Sequence, residues 1–108
     1  MKRVLMVAAA LSLVAGTALA QEHVLGRADM GSVFVWKDSD AHSEAIRLIG
    51  AGVHDTNPSL VLRLLSCITK SGDKAVVTDG GFFSSTVLVT SGDQAGCRGV
   101  IANEDLRR

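Results

Sequence analysis

Two cysteines, three histidines and a scatter of carboxylates are the side chains of this 108-residue sequence that could do chemistry. Cys67 and Cys97 are far from the C-x-x-C spacing of a redox-active dithiol, and in an exported chain such a pair is a structural disulfide. Closing a loop of about thirty residues stabilises a small fold by roughly 3 to 4 kcal/mol through lost chain entropy. A thiol held in that bridge cannot attack a substrate, so a Cys-His nucleophile is excluded. Ser84 and Ser85 follow Gly80-Gly81-Phe82-Phe83, but no G-x-S-x-G elbow surrounds them. Their expected place is a solvent-facing strand.

A metal site would have to recruit His42, His54, Glu44 or Asp55. His42 and Glu44 are two apart on a helix and face different ways, and no H-x-x-x-H or clustered Cys/His spacing occurs. His23 falls in the N-terminal arm. The paired acids Asp38/Asp40 and Glu104-Asp105 sit at a helix start and in a closing turn, where structure alone accounts for them. No Lys-Ser/Thr follows Gly80-Gly81 to make a phosphate loop. No catalytic residue, cofactor or metal centre is therefore assigned. A small enzyme or metal-binding protein using His42 and His54 is the alternative, and it requires those side chains to converge in one concave site.

The residues that could contact a partner are Trp36, Phe82, Phe83 and His54. Ser32-Val33-Phe34-Val35-Trp36 has the β-branched and aromatic content of a strand, with Phe34 and Trp36 on one face. Two of the four aromatics are thus committed to one surface. Phe82 and Phe83 are adjacent, and on a strand they would point to opposite faces, so at least one is expected to be exposed or covered by an insertion.

Several elements must position these residues. Asp38-Ser39-Asp40 offers caps for a helix over Ala41 to Ile49, with Ala41, Ala45, Leu48 and Ile49 on one face and Gly50 at its end. Asn57-Pro58 starts a second, with Leu60, Val61, Leu64 and Leu65 as its stripe. A domain this small is expected to pack both stripes on its sheet, leaving Arg47 and Arg63 in water. Short strands follow around Ser66-Cys67-Ile68, Asp73 to Thr78, Phe83 to Thr90 and Gly96 to Ala102. Val24-Leu25 suggests a short edge strand.

Residues 1–20 have the three parts of a cleaved secretory signal: Lys2-Arg3, the apolar run Val4 to Ala15, and Ala18-Leu19-Ala20 before Gln21. That run is too short to span a bilayer, and residues 21–108 should form one exported, periplasmic or secreted domain with no membrane span. The sequence carries 11 Lys+Arg and 11 Asp+Glu. Without Lys2 and Arg3 the balance is 9 to 11. No basic stripe is left for nucleic acid.

The strand led by Gly72-Asp73, the Gly80-Gly81 hinge, Thr86-Val87-Leu88-Val89, the segment Gly96-Cys97-Arg98-Gly99-Val100-Ile101 and the closing turn Asn103 to Leu106 together resemble the bacterial Src-homology-3-like (SH3-like) domain. The resemblance covers about the last forty residues and the strand ending at Trp36. It implies a mainly β fold: a small, strongly bent barrel with the two helices inserted at about 40–65, between its first two strands. Val100 stands where that family usually carries Trp, and the insertion replaces the loop joining those strands. The partner class it implies is a peptide, protein or cell-wall component, bound without catalysis.

Overall fold

The computed structural model describes residues 21–27 and 29–107; the expected leader lies outside them. Among the described residues seven strands run in chain order: β1 (Glu22–Leu25), β2 (Ser32–Trp36), β3 (Leu65–Lys70), β4 (Lys74–Gly80), β5 (Ser84–Val89), β6 (Arg98–Ala102) and β7 (Leu106–Arg107). They form one antiparallel, unclosed sheet in the order β3-β2-β6-β5-β4-β1-β7. The N-terminal strand is not at an edge, because β1 pairs with β4 on one side and β7 on the other. Arg107 belongs to that last strand.

Alternation explains how such a sheet makes a core. Val33 and Val35 of β2, Ala75 of β4, Val87 and Val89 of β5, Ile101 of β6 and Leu25 of β1 are 0–1 % exposed and pack in one cluster, with Cys67 and Cys97 against it. Side chains from both halves of a single sheet can meet only if the sheet bends around them. At one point the bend brings backbones together. A Cβ on Gly99 would run into the Trp36 carbonyl and the Val35 side chain, so only glycine lets β6 lie against β2 there. That junction has a single registered pair, Trp36 with Val100.

The disulfide reinforces it. Cys67 on β3 is bonded to Cys97, immediately before β6, with Cα atoms 6.6 Å apart. Beside it the Ser66 hydroxyl donates to the Arg98 carbonyl at 2.7 Å. The far end is closed by Arg27, which is 2.8 Å from Asp105 and 3.0 Å from Glu104. Asp105 is the main reason the Arg27 guanidinium is held even more firmly protonated than usual.

Between β2 and β3 lie three helices: α1 (Ser39–Gly50), α2 (Val53–Thr56) and α3 (Ser59–Leu62). α1 begins as its sequence dictates, with the Asp38 carboxylate accepting from the Ala41 amide at 2.7 Å. Gly50 stays inside it and Ala51 is the C-cap. The second helix is shorter than its apolar run suggests. Pro58 occupies the N-cap, α3 is four residues long, and Leu65 is already paired with Trp36 across a bulge. Trp36, Ala41, Ala45 and Val61 form a second, smaller core where the helices meet the outer face of β2.

Candidate functional site

The outer face of β2 is where covering runs out. Phe34, between the buried Val33 and Val35, is 41 % exposed and packs edge-on against the Trp36 ring, centroids 5.8 Å apart. Trp36 itself is only 7 % exposed because α1 and α3 roof it. Under the open edge of that roof is an apolar cavity of about 270 Å³, lined by Phe34, Trp36, Ile49, His54, Leu62 and Leu65, with Pro58 and Val61 behind. The two helical stripes are only half buried: Ala41 and Ala45 are inside, but Ile49 is 38 % and Leu60 36 % exposed.

Phe82 and Phe83 take another arrangement from the one a strand would impose. β4 ends at Gly80 and β5 starts at Ser84, so both lie in the hairpin loop, 88 % and 80 % exposed, their rings in an edge-to-face pair 4.7 Å apart. Asn103 holds this loop from below. Its side-chain amide donates to the carbonyls of Gly81 (2.8 Å) and Phe82 (3.0 Å), and its backbone N–H to that of Phe83 (2.9 Å). The Ser85 hydroxyl donates to the Asn103 side-chain oxygen at 2.5 Å. Three loop carbonyls satisfied by one residue leave the loop little freedom while its phenyl rings face outward. Ser85 is therefore buried, at 6 % exposure, and not solvent-facing.

Of the four residues expected to contact a partner, the cavity brings Trp36 and His54 together; Phe82 and Phe83 stand apart at the hairpin. A strip along α1 connects the two. His42, whose ring centroid is 6.5 Å from that of Trp36, lines with Ile46 the cleft beside the two phenylalanines, and Ile49 one turn further on lines the cavity. Ile46 is 59 % and Leu62 55 % exposed. On the other side Ile68, paired with Phe34 across β2 and β3, is 44 % exposed. The result is one apolar band from Ile68 through the cavity and Ile46 to the phenylalanine loop.

Sequence reasoning passed over Ile46, Leu62 and Asn103. The usable signal for the first was its position off the helix's buried stripe, where an isoleucine has no core to enter. Nothing local marks Asn103, since its partners are about twenty residues away.

His42 and His54 do not converge. They line different cavities, and among the described residues no three His, Cys, Asp or Glu side chains are grouped to hold a metal ion. Burial pushes the His42 pKa below its usual value, opposed by the nearby negative charge of Asp105. His54 is half exposed, 3.5 Å from Asp55. No helix among the described residues is long and apolar enough to cross a membrane. Comparison with protein-family models, with curated proteins and with solved structures found no match.

Proposed function

We propose that the protein is an exported, non-catalytic binding or scaffolding module of the bacterial cell envelope, built on an SH3-like bent sheet with a helical insertion, and that its partner is a protein or peptide presenting apolar side chains. The observation that carries this reading is the apolar band. Single exposed hydrophobic residues are ordinary on a protein surface, but a connected set ending in two almost fully exposed phenylalanines on a tethered loop marks an interaction surface. The band also explains the choice of side chains, because rigid aromatic anchors bind at a low entropic cost. The disulfide supports an oxidising location.

The test is capture from an envelope extract by the processed protein, compared with a Phe82→Ser, Phe83→Ser variant and with Leu62→Arg. Both variants change exposed side chains, so circular dichroism and thermal melting should match wild type. One partner, identified by mass spectrometry, should be retained by wild type and lost by both. Equal retention by all three proteins would sink the reading.

A further inference from the structure

We infer that the partner occupying this band is a second copy of the same chain, related by a two-fold axis near Ile46. This rests on the band being an interaction surface, as proposed above, and assigns its occupant. The band has a projection at one end and a receptor at the other. Phe82 and Phe83 stand out on a loop fixed by Asn103, and the cavity beside Trp36 is apolar and open. A cavity of about 150 Å³ is enough to hold a benzene ring. The one here, at about 270 Å³, takes a phenyl side chain.

Symmetry makes the match reciprocal. Ile46 lies between the two ends, in the cleft with the phenylalanines and one helical turn from Ile49 at the cavity. A two-fold axis at Ile46 sets the phenylalanine loop of each copy on the cavity of the other and packs the two Ile46 side chains together. Such an interface is self-complementary and closes at two copies.

The area is of the right order. A phenylalanine removes about 150 to 250 Å² from water, so the four in a pair supply roughly 600 to 1,000 Å² before the cavity walls and Ile46 are counted. Specific interfaces begin at about 1,200 Å². A short peptide confined to the cavity would leave Phe82 and Phe83 in water; a second copy covers both ends at once.

The experiment is sedimentation velocity on protein produced from the full-length gene and processed in the cell, from about 1 μM to about 1 mM. Wild type should pass from monomer to dimer and stop there. Phe82→Ser with Phe83→Ser, Leu62→Arg and Ile46→Lys should each weaken self-association by roughly thirtyfold or more, the effect of losing a central anchor. Mixing the Phe82→Ser, Phe83→Ser protein with Leu62→Arg should restore a weaker heterodimer, because one intact loop then meets one intact cavity. A monomer throughout the range, a dimer indifferent to all three changes, or growth beyond two copies would each overturn the inference. The capture experiment separates the two levels. A monomer that still retains a foreign partner through the band overturns the second-copy assignment alone; a monomer that retains nothing removes the binding reading as well.

Discussion

Val33 and Val35 are completely buried, and Phe34 between them is nearly half exposed. The two faces of β2 therefore belong to different regimes. On the inner face, five strands contribute to a cluster with almost no exposure, and a covalent bridge holds its weakest junction. On the outer face α1 and α3 cover Trp36 and leave Phe34, Ile46, Ile49 and Leu62 partly in water. The same residue types serve folding on one side and are available for association on the other. The difference lies in how much partner surface the fold itself supplies.

The largest way to break the inner face is Ile101→Ala. Truncating this fully buried side chain should lower stability by about 2 to 5 kcal/mol, measured by urea denaturation. Replacing both Cys67 and Cys97 with Ser should cost about 2 to 4 kcal/mol, and reduction of the wild type should lower its denaturation midpoint to nearly the same value. Asn103→Ala removes side-chain bonds to Gly81, Phe82 and Ser85, and should cost roughly 1 to 3 kcal/mol. Hydrogen exchange should quicken most in the 81–85 segment, and an unchanged pattern would mean that Asn103 does not hold the loop.

His42 sits at the boundary of the two regimes and offers a pH-dependent test. Burial lowers its pKa in the folded protein, so the unfolded chain takes up the proton first as pH falls below about 6.5. Its stabilising contribution is complete above that value and declines as pH drops towards the folded pKa. Stability at pH 5 should accordingly be lower than at pH 7.5, and His42→Gln should flatten that part of the profile. The smallest stability effect belongs to the outer face: Phe82→Ser with Phe83→Ser should stay within about 0.5 kcal/mol of wild type. A larger loss would show that these rings already belong to the core, and the contrast between the faces would fail.

What could be read directly from the residues was whatever local chemistry decides. Ser32–Trp36 is a strand because β-branched and aromatic residues alternate between a glycine and a polar cluster, and α1 starts where Asp38 can accept from Ala41. The Cys67–Cys97 bridge followed from there being only two cysteines. The second helix misled because Leu60 to Leu65 is almost continuously apolar, a run whose periodicity does not separate helix from strand. Pairing with Trp36 claims Leu65 for β3. The strand expected from Phe83 starts one residue later, at Ser84, because the loop carrying Phe82 and Phe83 is fixed by Asn103, which is distant in sequence. The open sheet was equally hidden, since strand identities do not reveal that β1 comes between β4 and β7.

The single registered pair between β2 and β6 gives the molecule a chronology. Each hairpin can zip locally, but the two halves of the sheet have little backbone pairing to find each other with. Until the sulfurs of Cys67 and Cys97 are joined, that meeting rests on the packing of Val33 and Val35 against the other strands, on Gly99 lying flush against β2 and on the bond from Ser66 to Arg98. The disulfide thus acts as a latch on a contact that packing also makes. A reduced chain should still fold, but its two halves should part more readily, so that amide exchange quickens at β2 and β6 before it does within the β4–β5 hairpin.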